Sequence, residues 1–467
     1  MEKKTNTTQP QISKIEITSD KISGRGGLLL LVKYLERIGF YSLFEKYFGL
    51  LKGSSKGLSC RQFVKQLTAW FMNGTDMSMC SFDRRKRDEA YAALLENRPD
   101  QMATSHQIKR MFRKLGVLRQ MMFRTFLLEL FVWRLHVEEP KVIILFGDSV
   151  VFDNDDADKR EGANVTYKNK KGFQPLQISW GPYVVDALFR AGDVHCNRGA
   201  DLMKAVGRLV KAIRRRYKDV PIILLTDSGF MDDQNFRFFE DRLGIHYVCV
   251  GKVYDDIKQY VKGLAADAFG SYKQRWTFVE FGNRLKSWNT FRRCIFTSQQ
   301  AEENGQLTFD FARPDSVIYT NIGQNKELDD KLVRAGGDEY LTAEKIIELN
   351  HSRGRGELVH RSEKEFAGRE QLPFKCFGMN RAFYYLMLVS HFLFETYKRD
   401  ISCDTVSVVA YPNTFRRVMI DFAAKIVSTG GNIILKVTQS VYDTLRLSNL
   451  WATIEEMEPA FVTWKSN

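Results

Sequence analysis

Cysteine is scarce and unpatterned in this chain of 467 residues: seven, at positions 60, 80, 196, 249, 294, 376 and 403, with no Cys-x-x-Cys among them. Such spacing supplies neither a zinc site nor a disulfide framework and predicts a reducing, cytoplasmic setting. Proline is sparse too, at 10 residues, and no low-complexity tract occurs, so the composition is that of a folded, soluble chain. Long apolar runs are missing. The longest, Ala382 to Phe394, contains Ser390 and His391 and falls well short of the roughly 20 residues a membrane span needs. It reads as a buried helix, and no membrane partner is expected. The start of the sequence, Met1 to Gln9, lacks the apolar core of a secretory leader. Acid is short in the first third. Residues 1–140 hold 24 Lys and Arg against 14 Asp and Glu, +10 of the formal net charge of +14. That imbalance suits a polyanion such as double-stranded DNA, because each neutralised phosphate releases counterions. A solvated basic surface explains the charge alone equally well.

What is present is organised by period. The length predicts two to four domains. Residues 1–23 are polar and read as a flexible arm. Residues 24–138 follow helical spacing, as in Leu28, Leu31, Leu35 and Ile38, or Phe63, Leu67 and Phe71. Within them Thr104 is an N-cap candidate for a short helix whose apolar side is Ile108, Met111, Phe112 and Leu115. Its other side carries Lys109, Arg110, Arg113 and Lys114, which suits a recognition helix in a helix-turn-helix-like arrangement. An ordinary solvated face has the same pattern.

From Pro140 the pattern becomes mixed. Strands are expected over 142–147, Leu176–Trp180, Val184–Arg190, 221–226 and Ile245–Val250, with helices near Arg198–Tyr217 and Asp232–Leu243. The order resembles a ribonuclease-H-like core, in which the first and fourth strands each deliver an Asp. The expectation is a multidomain α/β chain. A helical DNA-binding region (24–138) precedes a mixed-sheet catalytic core (139–254 and 346–467, with a C-terminal extension), interrupted by a β-rich insertion at 255–345. The insertion includes Trp276–Phe281, Phe291–Thr297, Leu307–Ala312 and Val317–Thr320.

Three acids stand in distinctive contexts. Asp148 ends the run Val142–Gly147, Asp227 ends Pro221–Thr226 and opens Asp-Ser-Gly-Phe, and Glu357 sits in Asn350-x-x-Arg353-x-x-x-Glu357 with Lys364 seven residues on. Two strand-end carboxylates and one from a helix can converge on divalent cations for phosphoryl transfer. The helix begins either near Leu341–Thr342 or after Gly356. If the segment is helical, Arg353, Glu357 and Lys364 share a face, where the cations could neutralise a phosphodiester. A surface ion-pair face, completed by Arg361 and Glu365, has the same spacing. The run Asp153–Asp158 lacks the Gly and Glu of a calcium loop. His195 and His360 lack ligand-spaced partners and are assigned no metal; His360, one turn after Glu357, is a candidate to support the acids from behind the ligands.

These contexts resemble bacterial insertion-sequence transposases of the Asp-Asp-Glu type, most of all insertion-sequence family thirteen-eighty. That family's segment after the first acid is matched by Gly162-Ala163, Tyr167-Lys168 and Lys171-Gly172-Phe173-Gln174-Pro175-Leu176. Its Asp-Ser-Gly-Phe is unchanged at Asp227–Phe230, and its Arg-x-x-x-Glu-x-x-x-x-x-x-Lys is matched at Arg353, Glu357 and Lys364. Two positions depart: the signature Tyr is Asn350, and Asp-x-Thr is Asp148-Ser149-Val150. The resemblance implies catalytic, metal-holding roles for Asp148, Asp227 and Glu357, with two Mg²⁺ ions per site and Mn²⁺ able to substitute. It implies inverted-repeat and target DNA as partners, a homodimer on paired ends, and 3′-end nicking, a hairpin and strand transfer. It also implies DNA contacts from Arg353 and Lys364. Related hairpin-forming enzymes stack a flipped base on a Trp of the insertion, for which Trp288 is the first candidate and Trp276 the second. A transposase-derived binding protein and a repair or resolving nuclease on the same core are the alternatives.

Overall fold

The β-branched run before Asp148 forms an interior strand of a nine-stranded sheet. In this computed structural model the described residues are 12 and 14–463, apart from 54–55, 157–158, 196, 198, 274, 300–301, 304–305, 308–314 and 369. Labelled in chain order, the sheet strands are β1 (Ile143–Ser149), β2 (Leu176–Trp180), β3 (Tyr183–Leu188), β4 (Ile222–Thr226), β5 (His246–Gly251), β6 (Gly270–Tyr272), β7 (Trp276–Asn283), β8 (Arg292–Gln299) and β9 (Ser316–Thr320). Their spatial order is β6-β7-β8-β9-β5-β4-β1-β2-β3. β1, β4 and β5 run parallel to one another, and every other neighbouring pair is antiparallel.

The principal helices are α1 (Leu28–Arg37), α2 (Cys60–Asn73), α3 (Ser105–Gly116), α4 (Gln120–Glu138), α5 (Asp201–Arg214), α6 (Ala343–Ser352), α7 (Gly354–Ala367), α8 (Phe377–Asp400) and α9 (Pro412–Met419). Side chains alternate across a strand, and β1 serves two layers. Ile143 and Leu145 join the larger core, which also contains Leu202, Val206 and Leu209 of α5. Ile144 and Phe146 pack beside a second cluster containing Ile223 and Leu225 of β4 with Ile346, Ile347 and Leu349 of α6. Asp148 and Asp227 continue the second parity at the strand ends, on the α6 side of the sheet.

Several expectations shift. The stretch 255–345 does not make a sheet of its own: β6–β9 extend the central sheet from the edge of β5. It also carries helices at Asp255–Lys262 and Lys326–Arg334. Strands pair at Glu302–Glu303 and Gln306–Leu307, whereas the rest of the alternating stretch Leu307–Ala312, like Asp158 of the acidic loop, lies outside the described residues. The end of the polar arm is ordered: Lys21–Ser23 pairs with Ala424–Thr429, which pairs with Asn432–Lys436. Among the described residues no helix is long and apolar enough to cross a membrane. Ala382–Phe394 lies within the buried helix α8.

The helix bearing Glu357 starts neither at Leu341 nor after Gly356. α6 stops at Ser352 and α7 restarts at Gly354, with Arg353 between them. The Arg353 N–H donates to Asn350 O at 3.1 Å, a tightened i→i−3 turn. Gly354 and Gly356 are poor helix formers, so the ladder breaks where both fall together. Arg353 itself keeps helical dihedrals, φ −55° and ψ −32°.

Candidate active site

Parallel pairing brings the two strand-end acids together. β1 and β4 are in register from Ile143 opposite Ile222 to Gly147 opposite Thr226, so Asp148 and Asp227 follow at equivalent positions. Asp148 accepts a hydrogen bond from the Ser149 N–H at 2.7 Å. Asp227 caps the short turn Ser228–Phe230, accepting from the Gly229 N–H at 3.0 Å. Glu357 lies in the first turn of α7 and is exposed.

Electrostatics tie these groups into one site. Burial pushes the Asp148 carboxyl up to about 6, aided by the charges of Asp227 and Glu357 and opposed by the Ser149 hydrogen bond and Arg353. Burial also raises Asp227, while the Gly229 hydrogen bond and the Arg353 charge draw it down. Arg353 is thus the cation that both aspartates feel. His360 Nδ1 lies 3.9 Å from Asp148 Oδ2. Burial, with Lys364 and Lys168 nearby, holds this imidazole down at about 4, so it is neutral at pH 7. Among the described residues no three His, Cys, Asp or Glu side chains form a ready-made metal cluster. The donor set is nonetheless apt for a hard divalent cation. It offers carboxylate oxygens, and a cation between them would offset the burial, and the repulsion from Asp227, that raise Asp148.

Other sequence candidates fall elsewhere. Lys364 pairs with Glu370 at 2.9 Å; its charge reaches Asp153 and His360. Lys109, Arg110 and Arg113 are exposed on α3, whose buried side is Ile108, Met111, Phe112 and Leu115. Thr104 caps that helix in a reciprocal pair with Gln107. Trp288, the first candidate for base stacking, is only 4% exposed. Its ring meets Phe236 and Tyr319 edge-on at 5.5 and 4.8 Å, and the Arg292 guanidinium lies over it at 5.3 Å. One edge still lines a cavity of about 610 Å³ with Met203, Met231, Arg237 and Tyr254. Trp276 is half-buried, 4.8 Å from the His351 ring. A groove of about 1090 Å³ has Val142, Ile144 and Phe146 along one side and Gly354, Gly356 and Leu358 of α7 along another.

Residues that the motifs did not mark lie beside Asp148. Gln177 pairs across the strands with Asp148, and Glu363 and Tyr384 are fully buried beside it. The available signal was a Gln within the apolar strand Leu176–Trp180; Glu363 gave none, being one charge in a charged helix.

The family model for the transposase DDE domain group 1 matches residues 7–459, and the chain belongs to that family. Among solved structures, the chain is similar to a piggyBac transposase synaptic complex with hairpin DNA. Identity is 12%, coverage is 95% of this chain and 88% of that one, and the TM-score is 0.43. No curated protein matches the chain.

Proposed function

We propose that this chain is an active, metal-dependent cut-and-paste DNA transposase of an insertion sequence, working from the cytoplasm on nucleoid DNA. The observation that carries the reading is the side-by-side ending of β1 and β4 in Asp148 and Asp227, with Arg353 and Glu357 electrostatically within reach. The order β3-β2-β1-β4-β5, with β2 alone antiparallel to both its neighbours, supports a ribonuclease-H-like catalytic core, and family membership supports DNA as substrate.

Asp148, Asp227 and Glu357 would hold two Mg²⁺ ions, or Mn²⁺, which when bound supply activation of the attacking hydroxyl and stabilisation of the leaving 3′-oxygen. The chain's own groups do the rest. Arg353 neutralises the phosphodiester between the two aspartates, and Lys364, released from Glu370, reaches the flanking phosphate. Lys109, Arg110 and Arg113 hold the terminal inverted repeat through its backbone. Trp276, half-buried, is better placed than the enclosed Trp288 to stack a base displaced as the hairpin closes. Two copies on paired ends would carry the cut element to target DNA.

The test is purified protein on a labelled duplex carrying the element's terminal repeat, with Mg²⁺ or Mn²⁺, beside Asp227→Ala. Metal-dependent nicking followed by a hairpin, both lost in the variant, is the expected result. Tight end binding without cleavage would leave a DNA-binding derivative. Cleavage of branched DNA regardless of end sequence would leave a repair or resolving nuclease.

A further inference from the structure

A buried polar trio lies beside Asp148 and links its sheet to the helix that carries Glu357. Gln177 is the cross-strand partner of Asp148, and directly opposed residues project from the same face of a sheet. Its Nε2 donates to Glu363 Oε2 at 2.9 Å and to the Tyr384 hydroxyl oxygen at 2.9 Å. Glu363 is on α7, the helix whose first turn carries Glu357, and Tyr384 is on α8. All three are sealed from solvent: Gln177 is 1% exposed and the other two 0%.

An acid in that position needs a reason. Filling the volume would take only a Leu, and an ionised carboxylate buried without a cation costs several kcal/mol, on the order of the ion-desolvation penalty. Lys364 is the nearest cation on the same helix, and it pairs with Glu370. Glu363 Oε1 and Gln177 Oε1 make no hydrogen bond to any described residue. Burial pushes the Glu363 carboxyl up to about 8, against the pull of Gln177 and Lys364, so the neutral acid is the resident form at pH 7. The other groups facing the trio are Arg190 and Tyr385, which act on Tyr384.

We propose that Glu363 is a positioning residue that, through Gln177 and Tyr384, fixes the Glu357 helix against the Asp148 strand so that the acids can share metal. This rests on the metal-dependent reading above. Glu363 touches neither substrate nor ion; it sets the depth at which α7 lies over β1 and β2. In its neutral form it does so without a buried charge. Ionisation above pH 8 places an uncompensated charge between the helix and the strand and loosens the site.

The experiment is Mn²⁺ affinity of the full chain, read by electron paramagnetic resonance from pH 7 to 9. The proteins are wild type, Asp148→Ala, Glu363→Gln and Glu363→Leu, each with its Tm. Asp148→Ala should abolish binding. Glu363→Gln keeps the acceptor without the titration, and should match wild type at pH 7 but lose the weakening that wild type shows above pH 8. Glu363→Leu should bind about tenfold more weakly at every pH, about 1.4 kcal/mol. Wild-type affinity in Glu363→Leu, or the same pH curve in wild type and Glu363→Gln, overturns the positioning role. If Glu363→Leu fails to fold, the comparison with Glu363→Gln decides. Wild type without Mn²⁺ binding, or Asp148→Ala binding as well as wild type, instead overturns the metal reading and the positioning role with it.

Discussion

Asp148 is held in a costly state by its neighbours, and two expectations follow from that one carboxyl. Its value of about 6, against the ordinary 3.8, means that folding favours the protonated form. The associated stability is full below pH 3.8 and is lost as pH rises through 6. At pH 7, without metal, the protein therefore carries the cost, and Asp148→Asn should raise Tm. The gain should be on the order of 1 kcal/mol, since a side chain 36% exposed is partly screened. Chemistry has the opposite dependence. Metal needs the carboxylate, so nicking should fall as pH drops through 6, and raising Mn²⁺ should move that midpoint lower. A pH-rate series at low and high Mn²⁺ checks it; a midpoint indifferent to metal would contradict the assignment. Trp288 offers a separate test. Its burial predicts that Trp288→Ala costs about 3–5 kcal/mol of stability, visible in a denaturant titration, whatever its effect on hairpin formation.

Element boundaries matter most at α3 and at the α6–α7 junction. The capped α3 holds its apolar side in the core and its basic side outward. Replacing Lys109, Arg110 and Arg113 together by Ala should weaken end binding and flatten the plot of log K against log salt by up to about 2.7, near 0.9 for each lost phosphate contact. An unchanged slope would make this a solvated face. Thr104→Ala should cost about 1 kcal/mol through loss of the cap. At the α6–α7 junction, Arg353 keeps helical dihedrals while two glycines break the ladder. Side-chain direction is thereby retained, and Arg353 stays within electrostatic reach of both aspartates although it belongs to neither helix.

At the scale of the whole molecule, the N-terminal helices and α9 pack directly against the helix of the site. Arg416 on α9 is 5% exposed and donates to Phe71 O and Met72 O of α2 and to Phe366 O of α7 at 2.7–2.8 Å. A Cβ on Gly27, at the start of α1, would meet Met419 O at 1.7 Å. The basic N-terminal helices are therefore clamped to the helix that carries Glu357. Arg416→Met should lose roughly 3 kcal/mol or more, because three buried carbonyls are left without donors. Limited proteolysis should not release residues 24–138 as a stable piece; a resistant fragment of that span would show the packing to be loose.

Local features were legible along the chain. Alternation and β-branching located the strands before Asp148 and Asp227, helical spacing located α3 and its two faces, and the motif contexts marked the acids. These signals are short-range, set by side-chain period, capping and turn chemistry among near neighbours. Tertiary structure alone decided what those features meet. Register between β1 and β4 put two aspartates 79 residues apart side by side. Edge-on pairing from β5 made the region 255–345 part of the central sheet. Burial, not charge pattern, enclosed Trp288 and sealed Glu363 against Gln177, and the fold brought Glu370 within ion-pair distance of Lys364. Such outcomes depend on which distant surfaces exclude water from one another, and neither spacing nor composition along the chain contains that information.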